Sequence, residues 1–346
     1  MASTLAEAYA EIYRDQPVHL QYHNHLDLGS LGEVPESHAW PPLDNYSSSV
    51  EPVPVIDLTD PEAVKLVGHA CRTWGVFQVT NHGISMRLLK DVESESWRLF
   101  SLPPQQKLKA ARSPDGISGY GLARISSFFP KLMWSEGFTI VESPVEHARQ
   151  LWPQDYSNFC AVMEEYQNEM KQLAERLLWL VLGSLGINKK DIIWAGPKGD
   201  FGDASAALHL NSYPPCPEPN RAMGLAAHTD STLLTILYQN STSGLQVLRD
   251  GAGWVTVPPL AGGLVVNIGD LLHILSNGEY RTVLHRAVVN RTHHRLSIVY
   301  FSGPPTNVQI SPLSRLVPPL YRPVTWTEYL GAKAKHFNNA LSSIRL

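Results

Sequence analysis

The segment from residue 206 to residue 303 constrains the fold most, because its pattern is that of short β-strands. Apolar and polar residues alternate between turn signals such as Asp250-Gly251 and Asn277-Gly278. The second signal predicts a hairpin that joins a strand at 271–276 to a strand at 280–286. About eight such strands predict a mainly β, α+β fold whose core is a double-stranded β-helix, or jelly roll.

The rest of the chain is expected to add helices around this core. A short helix to about Tyr13 opens the chain, and the clearest helical pattern, from Phe159 to Leu180, is that of a core helix. A last helix at 325–341 should pack against the open mouth of the roll. The predicted organisation is an arm at 1–52, a helical region at 53–200, the jelly-roll core at 201–310 and a C-terminal helical segment at 311–346.

Three side chains of the β segment have the character of metal ligands. If residues 225–237 form one strand, His228 and Asp230 point to the same face, because side chains two apart share a face of a strand. His285 lies far enough along the chain for several strands to return it to the same place. Two imidazoles and one carboxylate leave three octahedral positions open, which predicts a ferrous centre. Taken alone, His285 is explained as well by a hydrogen-bonded core histidine.

Arg295 and Ser297 are also two residues apart and should share a face of a strand. A planar guanidinium with a neighbouring hydroxyl suits a carboxylate that is held by two parallel hydrogen bonds. Upstream lies Asn211-Ser212-Tyr213-Pro214-Pro215-Cys216. With the His-x-Asp pair, the distal histidine and Arg-x-Ser in this order, the chain resembles the plant 2-oxoglutarate- and Fe(II)-dependent dioxygenases.

The resemblance implies a set of cofactors and a residue for each role. Fe(II), 2-oxoglutarate as cosubstrate, O₂ and ascorbate as reductant are expected, and the reaction yields succinate and CO₂. Because Asp230 occupies the carboxylate position, hydroxylation is implied; alanine or glycine there would indicate halogenation. The implied iron ligands are His228, Asp230 and His285, and the implied 2-oxoglutarate residues are Arg295, Ser297, Tyr213 and Asn211.

The substrate is indicated by resemblance alone. Residues 125–140 are similar to the segment that marks gibberellin 3-oxidases, and residues 151–156 and 225–230 agree with that subfamily. The similarity extends from about Pro35 to the end of the chain. It implies 3β-hydroxylation of a gibberellin precursor, a diterpenoid acid, as the final activation step of gibberellin biosynthesis. Pro130 departs from the serine expected at its position.

A gibberellin is a rigid apolar ring system with a carboxylate, so its pocket should be aromatic with a hydrogen-bond donor at one end. Each candidate residue for this pocket is explained as well by an ordinary place in the hydrophobic core or on the surface. The candidates for the wall are Phe128, Phe129, Trp134, Phe138 and Phe301, and those for the carboxylate are Arg124, Lys131 and His209.

Three functions remain open at this point. The first is gibberellin 3β-hydroxylation, and the second is the activity of a sister enzyme, such as a gibberellin 20-oxidase or a flavonoid dioxygenase. The third is a non-catalytic hormone-binding protein on the same roll. Such a binder has no need of a complete iron triad and Arg-x-Ser pair, and both are present here.

Charge and cysteine content restrict the partners and the compartment. The formal net charge is −4 and the basic residues are scattered, which argues against nucleic-acid or membrane-surface binding. Three cysteines without a Cys-x-x-Cys motif indicate reduced thiols, and the first residues lack the pattern of a secretory signal. We therefore expect a monomer in the cytoplasm, or also in the nucleus, with a small-molecule substrate.

Overall fold

The computed structural model describes residues 4–14, 26–42, 52–313 and 316–346. The arm predicted at 1–52 is thus described in part, and its residues 1–3, 15–25 and 43–51 lie outside the described chain. The described part of the chain has no helix that is both long and apolar enough to cross a membrane. The α-helices are α1 Leu5–Tyr13, α2 Ala63–Thr73, α3 Met86–Phe100, α4 Pro104–Lys107, α5 Val145–Leu151, α6 Ser157–Ser184, α7 Asp270–Leu275, α8 Trp326–His336 and α9 Ala340–Ser343.

The strands form two main sheets and a short third one. They are β1 Val55–Asp57, β2 Val76–Thr80, β3 Gly119–Gly121, β4 Glu136–Ile140, β5 Ser205–Tyr213, β6 Leu225–His228, β7 Leu234–Gln239, β8 Leu245–Arg249, β9 Gly253–Thr256, β10 Leu264–Ile268, β11 His285–Ala287, β12 Arg295–Gly303, β13 Gln309–Ile310 and β14 Val324–Thr325. The large sheet has the order β1-β2-β10-β7-β12-β5-β4-β3, and the small one has the order β6-β11-β8-β9. All pairings in these two sheets are antiparallel except β1 with β2.

A layer of β-branched and aliphatic side chains fills the space between the two main sheets. Val247 and Val255 of the small sheet pack with Leu237, Val265 and Val299 of the large sheet. Because successive side chains of a strand point to opposite faces of the sheet, these residues face the other sheet and their neighbours in sequence face away from it. Two facing, mainly antiparallel sheets with flanking helices confirm the predicted jelly-roll fold.

The outer face of the large sheet packs against helices, of which α6 is the longest. Its apolar residues recur every three or four positions, so they form one stripe along the helix. Phe159, Met163, Tyr166, Met170 and Leu177 of this stripe are fully buried. The core-helix prediction is therefore confirmed. By packing on the outer face of the large sheet, α6 holds the strands of that sheet in place.

The hairpin predicted at Asn277-Gly278 is wrong, because residues 270–275 form helix α7 and not a strand. Leu271, Leu272, Ile274 and Leu275 are all buried, and this spacing fits a helix as well as a fully buried strand. Asn277 and Gly278 do adopt positive φ angles of 53° and 83°, but they end the helix. His285 therefore follows a loop and begins β11.

The strand predicted over 225–237 is interrupted. β6 ends at His228 and β7 begins at Leu234, so Asp230 lies in the connection and not on a strand. The Asp230 carbonyl accepts a hydrogen bond from the Asp270 amide at the start of α7, at 2.8 Å. The first free amides of α7 thus hold the connection that carries Asp230.

The C-terminal helix predicted over 325–341 is divided. α8 begins after the N-cap Thr325, whose side chain accepts a hydrogen bond from the Glu328 amide, and ends at His336. Phe337 has a φ of 48°, which an L-residue in a continuous helix does not adopt. A single 3₁₀ turn and α9 follow.

Candidate active site

His228, Asp230 and His285 converge at one end of the roll. His228 and His285 are directly opposite each other on β6 and β11. Asp230 Oδ1 lies 3.6 Å from His228 Nε2 and 3.7 Å from His285 Nε2. One ligand atom from each residue lies within 4.8 Å of the other two, which is the spacing that a single metal ion needs.

Backbone carbonyls fix the orientation of both imidazoles. His228 Nδ1 lies 2.8 Å from the Ala226 carbonyl, and His285 Nδ1 lies 3.1 Å from the Val283 carbonyl. A carbonyl accepts only from a protonated nitrogen, so Nδ1 carries the proton and Nε2 presents its lone pair to the site. Burial and the neighbouring His285 lower the pKa of His228 to about 4, which keeps this ring neutral.

The Asp230 carboxylate is charged and incompletely satisfied. Burial alone would raise its pKa, but the two histidines lower the pKa below its ordinary value. Its Oδ2 is buried and accepts no hydrogen bond from the described residues. A buried carboxylate oxygen without a partner is costly unless a cation compensates it. The donor set of two nitrogens and one oxygen therefore fits Fe(II).

The residues predicted to hold 2-oxoglutarate lie opposite each other on two neighbouring strands. On β12 and β5, Arg295 pairs with Tyr213, and Ser297 pairs with Asn211. Directly opposite residues share a face, so all four side chains belong to one face of the large sheet. They are 2% to 6% exposed, which makes this a desolvated cluster.

Arg295 has buried hydrogen-bond donors that no described residue of the chain accepts. Its Nη2 donates to Gln239 Oε1 at 3.0 Å, and its guanidinium lies 5.0 Å from the centre of the Tyr213 ring. Its Nε and Nη1 are buried without a partner among the described residues. A Cβ at Gly244 would lie 2.7 Å from Arg295 Cδ, so only glycine leaves room for this side chain. An unsatisfied buried guanidinium fits the far carboxylate of 2-oxoglutarate.

A buried carboxylate behind the metal site ties four elements together. Asp270 Oδ2 accepts hydrogen bonds from Thr229 Oγ1, Tyr329 OH and Lys333 Nζ, and Oδ1 accepts from Thr282 Oγ1. Thr229 lies between two of the predicted metal ligands, while Tyr329 and Lys333 belong to α8. The network therefore fixes the position of α8 relative to the metal-binding connection.

His228 and Asp230 line a largely apolar cavity that extends away from the metal site. Of the predicted substrate residues, Phe128, His209 and Phe301 line it, as does Arg124. Phe128 stacks on Phe337 at the cavity wall, with 4.6 Å between ring centres. The cavity thus has one aromatic wall and one end that carries hydrogen-bond donors.

Four predicted substrate residues do not line this cavity. Phe138 lies on the outer face of β4 near Phe159, because alternation along the strand gives the cavity face to Thr139. Trp134 is fully buried and donates to the Pro214 carbonyl.

Lys131 and Phe129 lie outside the cavity for different reasons. Lys131 Nζ lies 2.6 Å from Glu36 Oε1, and this carboxylate is 85% exposed, so the pair belongs to the surface. Phe129 packs behind the wall, between Trp40 and Phe337.

Several cavity residues were not predicted from the sequence. They come from α1, from the loops around β3, from α8 and from the 3₁₀ turn after α8, which are segments far apart along the chain. The sequence predicts a short helix to about Tyr13 but does not indicate which surface this helix covers. These residues are Leu5, Tyr9, Tyr13, Arg112, Leu330, Lys333 and Phe337.

Comparison with known proteins assigns the chain to a family. Residues 204–304 match the 2OG-Fe(II) oxygenase superfamily model, and residues 53–159 match the model for the N-terminal part of non-haem dioxygenases in morphine synthesis. Gibberellin 3-beta-dioxygenase 1 of Pisum sativum is 61% identical over 97% of this chain and 93% of its own length. The chain belongs to the gibberellin 3-beta-dioxygenase family. The cofactors of this superfamily are Fe(II) and 2-oxoglutarate.

A second relative from this family and two solved structures are also similar to the chain. Gibberellin 3-beta-dioxygenase 2 of Arabidopsis thaliana is 55% identical over the whole of both chains. The crystal structure of JOX2 with 2OG, Fe and JA is 30% identical, with a TM-score of 0.78 over 95% of this chain and 98% of that one. A rice dioxygenase for auxin oxidation is 26% identical, with a TM-score of 0.70 over 85% and 100%.

Proposed function

We propose that this protein hydroxylates a gibberellin precursor at carbon 3, with oxidative decarboxylation of 2-oxoglutarate to succinate and CO₂. The observation that carries the proposal is the 61% identity to a gibberellin 3-beta-dioxygenase over nearly the full length of both chains. The site geometry supports the same chemistry, because two imidazoles and an under-satisfied carboxylate open into an apolar cavity. A purely hormone-binding protein would have no use for that donor set.

In this proposal His228, Asp230 and His285 hold Fe(II), and Arg295, Ser297, Tyr213 and Asn211 hold 2-oxoglutarate. When bound, Fe(II) and 2-oxoglutarate supply the splitting of O₂, with one oxygen atom for succinate and one for the substrate hydroxyl. The protein contributes orientation: carbonyls fix the imidazoles, and the Arg295 guanidinium fixes one carboxylate of the cosubstrate.

The aromatic wall around Phe128 and Phe301 excludes water and faces the ring system of the substrate. O₂ as second cosubstrate and ascorbate as reductant belong to the proposal as well. So do a monomeric state and a cytoplasmic location, of which the location is supported by three free, buried cysteines.

Product analysis tests the proposal against the sister activities. The purified protein is loaded with Fe(II) and 2-oxoglutarate without oxygen, and then receives air, ascorbate and a panel of gibberellins and flavonoids. We expect a gibberellin with one added hydroxyl at carbon 3 and an equal amount of succinate. Oxidation at carbon 20, a flavonoid product, or succinate without any hydroxylated product would contradict the proposed substrate.

A further inference from the structure

The cavity carries three cationic side chains, and they differ in how they are neutralised. Lys333 is paired with the buried Asp270 carboxylate at 2.8 Å. Arg112 and Arg124 form no ion pair with any described residue of the chain. The acidic residue that lines the cavity is Asp230, which we assign to the metal. Two guanidinium groups therefore face the cavity without an ion-paired carboxylate, although Asp115 lies near enough to Arg124 to counteract in part the lowering of its pKa by burial.

Arg112 is 5% exposed, which is unusual for an arginine without an acidic partner. Its Nη2 donates to the Leu122 carbonyl. Burial and the neighbouring Arg124 lower the pKa of Arg112 to about 9, so the group remains charged at neutral pH. Burying this charge costs free energy that a bound anion would recover.

Arg124 presents an unused edge of its guanidinium. Nη1 donates to the Pro114 carbonyl at 2.8 Å, whereas Nε and Nη2 are buried without a partner among the described residues. These two nitrogens form the side of the guanidinium that matches the two oxygens of a carboxylate. Tyr13 of α1 lies over the guanidinium, 4.4 Å from its carbon to the ring centre, and holds its plane.

Two glycines make room for this end of the cavity. Gly121 and Gly137 pair across β3 and β4. A Cβ at Gly121 would lie 3.2 Å from Arg112 Nη2, and one at Gly137 would lie 3.0 Å from His209 Cε1. The side chains of Arg112 and His209 can therefore lie close against the sheet and face the cavity.

This cationic end is separate from the Arg295 cluster. Arg112 is near enough to His209 to lower its pKa, and His209 pairs with Val299 on β12, four residues beyond Arg295. At about 3.3 Å per residue, the two positions along the strand are roughly 13 Å apart. The site thus has one position for an anion at Arg295 and a second at Arg112 and Arg124.

We propose that Arg112 and Arg124 together bind the carboxylate of the substrate and thereby set which carbon of the ring system lies at the metal. The inference rests on the proposed function, since it takes the substrate to be a gibberellin acid. Arg124 supplies the paired hydrogen bonds and Arg112 supplies buried positive charge. The remaining apolar wall then contacts the ring system without fixing its orientation.

The test compares a gibberellin acid with its methyl ester, which lacks the negative charge. For the wild type we expect a KM at least about 10-fold lower for the acid, since a hydrogen-bonded charge contributes that much or more. Arg124→Gln should raise the KM for the acid by about 10- to 100-fold, leave that for the ester nearly unchanged and leave the KM for 2-oxoglutarate unchanged. Lys131→Met, which removes a surface lysine outside the cavity, is the matched control.

Equal KM values for acid and ester in the wild type would overturn the inference without any variant, so a poorly folded variant does not prevent the test. Equal losses for acid and ester in Arg124→Gln would overturn it too, because the residue would then act on the cavity as a whole. A wild type that hydroxylates no gibberellin at carbon 3 contradicts the proposed function itself. Intact 3-hydroxylation with an unchanged acid-to-ester ratio in Arg124→Gln contradicts this inference alone.

Discussion

Asp230 is the residue whose loss should affect catalysis most and the fold least. Its Oδ2 has no partner among the described residues, and its backbone contact to Asp270 does not depend on the side chain. Asp230→Ala should therefore reduce turnover by at least about 100-fold, more than loss of an outer-shell partner of a metal ligand. The thermal midpoint of the metal-free protein should remain close to that of the wild type.

Iron content and succinate formation measure this effect. Asp250→Ala is the control, since Asp250 is an exposed carboxylate paired with Arg281 at the surface. Hydroxylation at the wild-type rate by Asp230→Ala would remove Asp230 from the metal site.

Arg295 should act on the cosubstrate alone. Arg295→Lys keeps the positive charge but replaces a planar fork with one ammonium group, which cannot make two parallel hydrogen bonds. The KM for 2-oxoglutarate should rise by about 10-fold or more, while the KM for the gibberellin changes little. Arg281→Lys, at an exposed ion pair, is the control. If the KM for 2-oxoglutarate is unchanged, the carboxylate is held elsewhere.

His209 should make the stability of the metal-free protein depend on pH. Burial and Arg112 lower its pKa to about 4, whereas an unfolded histidine titrates near 6.5. As the pH falls from about 6.5 to about 4, the unfolded chain binds this proton first, so stability is lost. Over that range the wild type should lose roughly 2 kcal/mol more than His209→Gln. Urea unfolding at several pH values, with the exposed His69→Gln as control, measures it; parallel curves would contradict the assignment.

At the scale of elements, the Asp270 network couples α7 and α8 to the metal-binding connection. Asp270 is fully buried and Lys333 is 12% exposed, so Asp270→Asn leaves an ammonium group without its counter-charge. The free energy of unfolding should fall by about 3–5 kcal/mol. Lys333→Met in the same chain should recover part of this loss. Urea unfolding of the wild type, both single variants and the double variant gives the coupling, and strictly additive losses would contradict it.

The sequence predicts correctly an element whose apolar pattern fits only one type of secondary structure. The core helix α6 is confirmed, because a long apolar stripe identifies a helix. The strand predicted at 271–276 is wrong, because a short run in which apolar residues predominate fits a buried helix and a buried strand equally. The prediction that His228 and Asp230 lie together is confirmed although Asp230 is not on a strand. Residues two apart in sequence also bring their side chains close together at a bend in the chain.

At the scale of the whole molecule, the site depends on contacts that local sequence patterns do not contain. The cavity is closed by α1 and α8 from opposite ends of the chain, and its cationic end combines Arg112 and Arg124 with His209 of β5. The candidate metal and cosubstrate residues could be predicted from the sequence, because each motif is short and its residue types suit one kind of ligand. The residues of the substrate wall could be predicted only in part, since the wall is formed by packing between distant segments.

Tracing the two atoms of O₂ tests whether this protein is a dioxygenase that hydroxylates a gibberellin. The wild type is given Fe(II), 2-oxoglutarate, ascorbate, a gibberellin precursor and ¹⁸O₂ in ordinary water. We expect ¹⁸O in the new hydroxyl at carbon 3 and in succinate, in equal amounts of product. A 3-hydroxyl whose oxygen comes from water, or label in succinate without a labelled gibberellin, would contradict the proposed dioxygenase reaction.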